Sequence, residues 1–287
     1  SGGTFVNATG FGFSARAAQL GSLWCRFNAT LVAGAWASHS EVHCIAPPHA
    51  AGIVGVELTL NEQQHTHSGV RFEYEVASLY AAHPVGGPVL GGTAVEVRGA
   101  GIAPAGVRGL FCQFGASEGV RATRSSSEVV LCVAPASTGA LPGTVPLRLL
   151  ANGAVHGEAA VAYTYRPPAE VRRVHPLLGV RSGGTLVTLY GSGLADAGAR
   201  TRCRFGGVAV AARLIAPGAV ECTSPRPASA GYAAVEVSTN GRDFSSSGVH
   251  FEYLPPVSVR ALEPSRGPAS GGTFVNATGF GFSARAA

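Results

Sequence analysis

The stretch Ser1-Gly-Gly-Thr-Phe-Val-Asn-Ala-Thr-Gly-Phe-Gly-Phe-Ser-Ala-Arg-Ala-Ala18 recurs letter for letter as Ser270 to Ala287. Looser versions lie between the two copies, as Leu90-Gly-Gly-Thr-Ala-Val-Glu-Val-Arg-Gly-Ala-Gly101 and Ser182-Gly-Gly-Thr-Leu-Val-Thr-Leu-Tyr-Gly-Ser-Gly193. The threonine after each Gly-Gly falls at Thr4, Thr93, Thr185 and Thr273, giving steps of 89, 92 and 88 residues. Self-similarity at this period confines the chain to a tandem array of small domains. Because identity is complete only between the first and fourth versions, the repeating unit is expected to be three domains. The expected boundaries are 1–75 for domain 1, which lacks its first strand, 76–166 for domain 2, 167–254 for domain 3, and 255–287 for the opening strands of the next repeat. On this reading the chain is a window on a longer array.

Within each repeat the same strand signals return in the same order. Val6 and Ala8 align with Val95 and Val97 and with Val187 and Leu189, while Asn7, Glu96 and Thr188 take the intervening position. That period of two marks a half-buried strand. Gly10-Phe-Gly12, Gly99-Ala-Gly101 and Gly191-Ser-Gly193 follow, predicting a turn or bulge at positive φ. With no third glycine and no helix expected after it, this is not a dinucleotide loop. Later come Cys25-Arg-Phe27, Cys112-Gln-Phe114 and Cys203-Arg-Phe205, then Cys44-Ile-Ala-Pro47, Cys132-Val-Ala-Pro135 and Cys222-Thr-Ser-Pro225, whose prolines should end their strands. Asn152-Gly153 and Asn240-Gly241 are hairpin signals, and Phe72-Glu-Tyr74, Tyr163-Thr-Tyr165 and Phe251-Glu-Tyr253 close each repeat. About seven short strands per repeat, without an amphipathic helix, predict an all-β fold of antiparallel sandwiches. Pro167-Pro168 and Pro255-Pro256 at the joints predict stiff links and a rod-like array. At ~3.3 Å per strand residue, three domains should span roughly 110–120 Å.

A mean hydropathy of +0.23, 13% charged residues, 40 Gly and 18 Pro describe an apolar, turn-rich chain with no run fit to insert in a membrane. All 21 basic residues are Arg, scattered rather than clustered, and a net charge of +5 gives no case for nucleic acid. Domains of this size bury only a little over ~60% of their unfolded surface and often need a staple. One cysteine pair per repeat, Cys25 with Cys44, Cys112 with Cys132 and Cys203 with Cys222, supplies it if each pair closes within its own domain. Each bridge should contribute on the order of 3 kcal/mol. Buried free thiols are the weaker reading, and the spacing does not fit a zinc site. Paired cysteines imply an oxidising, extracytoplasmic compartment.

Gly-Gly-Thr, Gly-x-Gly, Cys-x-Phe-Gly, Val-x-Cys-x-x-Pro, Asn-Gly and a final Phe-x-Tyr together resemble the IPT/TIG (immunoglobulin-like, plexin, transcription factor) domain family. The resemblance covers the chain in three registers, with Asn28 standing where Gly115 and Gly206 follow Cys-x-Phe. It implies an early-set immunoglobulin-like sandwich, and the cysteine pairs match the family's extracellular members.

Asn7-Ala-Thr9, Asn28-Ala-Thr30 and Asn276-Ala-Thr278 fit the N-glycosylation sequon; covalent glycans are expected and no cofactor is. Gly115-Ala-Ser-Glu-Gly119 matches a hydrolase nucleophile elbow but reads better as a loop. His65-Thr-His67 is a weak metal signal in a polar hairpin region. Asp196 and Asp243 are the only aspartates, and with neither paired carboxylates nor a triad the chain is expected not to be an enzyme. Val257-Ser-Val259-Arg-Ala-Leu262 has the pattern of the strand that domain 1 lacks, an inter-repeat strand whose neighbour is the next copy. The favoured function is a structural one, an extracellular, glycosylated repeat protein of a filament or surface fibre whose partners are neighbouring copies of itself. The alternative is a receptor or adhesion ectodomain presenting a loop, with the least repeat-like stretch, Asn61 to Ser68, as its candidate.

Overall fold

The computed structural model describes residues 2–103, 107, 109–157, 159–194 and 200–282. It divides into two compact units, Ser1–Arg166 and Pro167–Ala287, and within them three hydrophobic cores form around three disulfides.

In the first unit, domain 1 runs β1 (Phe5–Thr9), α1 (Ala15–Gln19), β2 (Trp24–Phe27), β3 (Thr30–Ser38), β4 (Glu41–Ile45), β5 (Gly52–Thr59) and β6 (Arg71–Tyr74). Thr30–Ala33 of β3 pairs with β2, whereas its remainder pairs with β4, so one strand serves both sheets. The crossover comes at Gly34, where a Cβ would press on Leu23, Val42 and the Cys25 sulfur. One sheet is therefore β1-β4-β3 and the other β3-β2-β5-β6. Alternation does the rest: Cys25 and Phe27 point inward from β2 while Trp24 and Arg26 face partly outward.

Domain 2 repeats the plan with β7 (Ser78–His83), β8 (Gly86–Pro88), β9 (Ala94–Ala100), β10 (Leu110–Phe114), β11 (Val120–Arg121), β12 (Thr123–Arg124), β13 (Val129–Val133), β14 (Gly143–Ala151), β15 (Ala154–Val155) and β16 (Val161–Arg166). Its sheets are β7-β9-β13-β12 and β11-β10-β14-β16-β8. The opening segment is shared between them, β7 antiparallel to β9 and β8 parallel to β16.

The second unit holds domain 3, built of β17 (Glu170–His175), β18 (Leu178–Val180), β19 (Leu186–Ser192), β20 (Arg202–Phe205), β21 (Val208–Ala216), β22 (Ala219–Thr223), β23 (Gly231–Ser238) and β24 (His250–Leu254). The order is the same, with β17 on β19, β18 parallel to β24, and β21 changing sheets as β3 does. Beyond it, β25 (Ser258–Glu263) pairs with β26 (Asn276–Phe280) as a separate exposed two-stranded sheet.

Three sequence expectations need correction. A helix does follow Gly10-Phe-Gly12: Ser14 caps α1 by accepting from the Ala17 amide at 3.4 Å, and the alanines favour the turn while Ala17 packs into the core. Five residues are too few to show a helical period. Of the Gly-x-Gly pair only the second glycine takes positive φ, at Gly12, Gly101, Gly193 and Gly281. The first is needed for close approach, since a Cβ on Gly99, Gly191 or Gly279 would strike the carbonyl of Ser78, Glu170 or Ser258 on the neighbouring strand. Finally, Asn152-Gly153 closes a two-residue hairpin from β14 to β15 with both residues at positive φ, but Asn240-Gly241 does not. The Asn240 side chain accepts from the Arg242 and Asp243 amides in an Asx turn, and the loop continues to β24.

Candidate functional site

Each disulfide crosses between the two sheets of its sandwich: Cys25–Cys44 joins β2 to β4, Cys112–Cys132 joins β10 to β13, and Cys203–Cys222 joins β20 to β22. All six cysteines are buried at the centre of their cores. Inward positions on the middle strands of facing sheets bring them together, which the even spacing anticipated.

The sequon asparagines are all exposed. Asn7 lies on β1 opposite His43, and its side chain, with that of His43, hydrogen-bonds Glu41 and holds that carboxyl below the usual carboxylate range. Asn28 turns between β2 and β3 at φ 54°, where Gly115 and Gly206 sit at 63° and 58°. Asparagine is the residue that best replaces glycine in that conformation, so the departure from the family pattern keeps the backbone and adds an exposed amide. Asn276 stands on β26 opposite Glu263.

The other candidates resolve into loop architecture. The hydroxyl of Ser117 donates to the Glu118 carbonyl at 3.2 Å and accepts from the Phe114 amide, in a turn leading to β11 rather than to a helix. No cluster of three His, Cys, Asp or Glu side chains that could hold a metal ion occurs among the described residues, which include His65 and His67. Asp196 lies outside the described residues, and Asp243 accepts a hydrogen bond from Asn240 at 2.6 Å. No helix among the described residues is long and apolar enough to cross a membrane.

The stretch from Asn61 to Ser68 is less singular than its letters. Asn61 accepts from the Gln63 and Gln64 amides as Asn240 does from its followers, and the Thr66 hydroxyl accepts from Leu58 as the Ser245 hydroxyl does from Val237. The spacing of five residues between the two polar anchors is common to both loops. Different side chains therefore build one loop, and the hydrogen-bonding positions were the legible signal.

Domain 1 is described without an opening strand. Among the described residues β1 pairs only with β4 and β6 only with β5, whereas their counterparts in domains 2 and 3 also carry an opening strand. Val6 and Phe72 are half-buried, although Val95, Val187, Tyr163 and Phe251 at the same positions are sealed. Along β6 runs a groove of about 190 Å³, lined by Phe72, Glu73, Tyr74 and Glu75 and by Asn152 and His156 of domain 2. Asn152 donates to the Gly2 carbonyl at 3.0 Å, and His156 contacts the Gly101 carbonyl at 3.1 Å through Nε2. Burial pushes the His156 imidazole below its ordinary pKa. Neither residue carried a sequence signal beyond the Asn-Gly turn.

Sandwiches of this strand order, with an opening segment split between two sheets and a disulfide across the middle, are immunoglobulin-like modules. The IPT/TIG domain model matches residues 1–74 and 169–253, together more than half of the chain. The chain therefore belongs to the IPT/TIG domain family. It is 30% identical to plexin-B2 of Mus musculus over 225 residues, which is 75% of this chain and 12% of plexin-B2. It is 28% identical to fibrocystin-L of Homo sapiens over 200 residues, 68% of this chain and 4% of that protein. The full extracellular region of plexin A4 superposes with a TM-score of 0.59 at 16% identity, covering 91% of this chain and 24% of that one, and shows the same fold. The chain thus spans only a small part of these relatives. With three disulfides, the likeness to plexin ectodomains places it outside the cell or at its surface.

Proposed function

We propose that the chain is part of a cell-surface receptor or adhesion ectodomain, in which IPT/TIG sandwiches space and present interaction surfaces and carry out no catalysis. The observation behind this reading is the run of 225 residues shared with plexin-B2, which spans consecutive modules and not one isolated domain. Exposed sequons at Asn7, Asn28 and Asn276 supply the N-glycans such a surface carries. The test is a titration of the monomeric chain on cultured-cell surfaces. Saturable binding without self-assembly supports the receptor reading, and absence of binding together with fibre formation overturns it.

The second reading, a filament or surface fibre, is favoured by one observation, the letter-for-letter recurrence of Ser1–Ala18 at Ser270–Ala287. Strict identity at one position of the period is what a periodic object needs. Electron microscopy of native material separates the two readings: fibres with a regular axial repeat favour the filament, and dispersed particles favour the receptor.

A further inference from the structure

Some of the arginines that read as scattered along the chain are gathered by the fold of domain 3. Residues 167–254 hold nine arginines against six acids, whereas residues 1–75 hold three against five. Three of the nine form the run Arg200-Thr-Arg202-Cys-Arg204 at the start of β20. Thr201, Cys203 and Phe205 are sealed in the interior, so alternation turns the arginines to the outer face, about 6.6 Å apart at ~3.3 Å per strand residue. Counted from the aligned cysteines, the same outward places hold Ser22, Trp24 and Arg26 in domain 1 and Gly109, Phe111 and Gln113 in domain 2. The row belongs to domain 3 alone.

The surroundings of the row hold it in place and leave it approachable. On one side Ala211 and Ala209 stand opposite Arg202 and Arg204; both alanines are exposed and too small to cover a guanidinium. On the other side Glu236 lies opposite Arg204 and accepts from its Nε at 2.6 Å, while the Arg204 guanidinium rests over the Phe244 ring at 4.2 Å. Arg202 is half-buried, its Nη1 donating to the Thr201 carbonyl at 3.4 Å, and Arg200 is exposed. The Asx turn at Asn240 brings a fourth arginine to the same end. Gly241 packs against the Arg200 carbonyl, which lies 3.2 Å from where a Cβ would stand, and exposed Arg242 follows it. Four guanidinium groups thus share this face with two neighbouring carboxylates, Glu236 and Asp243, of which the second accepts from Asn240. No N-glycosylation sequon occurs in residues 76–254, so no N-glycan of this domain would cover the row.

We propose that Arg200, Arg202, Arg204 and Arg242 form a binding site for a linear sulfated polysaccharide of the cell surface. A guanidinium fork meets the oxygens of a sulfate as it meets those of a phosphate, with two parallel hydrogen bonds, and it gives up its hydration more readily than an ammonium. Cations evenly spaced along one strand suit a ligand that repeats its charges along a chain. The location outside the cell favours a sulfated polysaccharide over a nucleic acid. The inference adds a partner to the ectodomain reading but rests on it only for that location, which the disulfides and the plexin likeness supply.

The experiment is binding of the 287-residue chain to immobilised heparin over a salt series. Saturable binding at about 0.15 M salt, weakening as salt rises, is expected. Arg200→Ala, Arg202→Ala and Arg242→Ala together should lower the affinity at least about 30-fold, since each charge-assisted contact is worth about tenfold. Arg202→Lys, which keeps the charge and loses the fork, should lower it about threefold. Removing three charges elsewhere in the domain, with Arg172→Ala, Arg181→Ala and Arg226→Ala, should change it by less than about threefold, because distant exposed charges are screened. All of these side chains lie outside the core, and circular dichroism melts check that each variant keeps its fold. A wild-type chain that does not bind heparin, or an equal loss from the two sets of three, would overturn the proposal. So would equal binding to desulfated heparin, or displacement by single-stranded DNA or phosphatidylserine vesicles at the same charge concentration. Cell binding that survives enzymatic removal of sulfated glycans belongs to the receptor reading, so either can fail without the other.

Discussion

Gly2–Phe13 and Gly271–Phe282 are the same residues in the same order, yet they do not make the same structure. In the first, Phe13 is 8% exposed, sealed in a core with Leu23 and Val42; in the second, Phe282 is 54% exposed. Asn7 faces His43 across a ladder with β4, and Asn276 faces Glu263 across a ladder with β25. Local sequence therefore specifies the strand but not its neighbours. Which edge is paired, and whether the apolar face is buried, depends on the rest of the domain.

The comparison can be broken most decisively at the phenylalanines. Phe13→Ala should cost domain 1 about 3–5 kcal/mol, as large-to-small core changes do, while Phe282→Ala should stay within about 0.5 kcal/mol. Both tryptophans, Trp24 and Trp36, lie in domain 1, so their fluorescence during denaturant unfolding isolates that domain. The glycines come next. Gly191→Ala forces a methyl into the Glu170 carbonyl and should destabilise domain 3 by roughly 3 kcal/mol, whereas Gly10→Ala, at ordinary φ and facing a movable ring, should cost about 1 kcal/mol or less. Circular dichroism melts of the two variants give the difference.

Acid sharpens the contrast between the asparagines. Glu41, bonded by His43 and Asn7, has a folded pKa below its ordinary 4.5. A depressed carboxyl pKa means the unfolded chain binds more protons, so its contribution is present above that ordinary value and is lost as pH falls through the folded value. Domain 1 should therefore lose a little stability, screened by solvent at this exposed carboxyl, as pH falls from that ordinary 4.5 through the folded value, and Glu41→Gln should flatten that slope in the tryptophan signal. The smallest effect is expected at the sequons. Asn7→Gln and Asn276→Gln should each remove one glycan from protein made in a secretory host, read by intact mass, with little change in melting temperature.

Much of the fold was legible because each repeat tests the others. Alternation at Val95 and Val97, the prolines after Cys44, Cys132 and Cys222, and the cysteine pairs each pointed to one position in the sandwich three times over. What was not legible depends on contacts between distant strands. The first glycine of Gly-x-Gly reads as a turn residue because its carbonyl neighbour, such as Ser78 or Glu170, belongs to another strand. Asn240-Gly241 has the letters of a hairpin, and only the side-chain hydrogen bonds show that it is an Asx turn. Of the candidate site, the sequons and the cysteines could be read directly. The half-buried state of Val6 and Phe72 could not, because it depends on which neighbours the surrounding domain supplies.

The parallel ladders of β8 on β16 and β18 on β24 have a mechanical consequence. They place the opening and closing segments of a module side by side and pointing the same way. Tension applied through the chain drags the opening segment backward and the closing strand forward, so the ladder is loaded in shear and its hydrogen bonds bear the force together instead of unzipping one at a time. Behind that ladder, the covalent link between sheets, Cys112 to Cys132 or Cys203 to Cys222, caps how far a yielding module can lengthen.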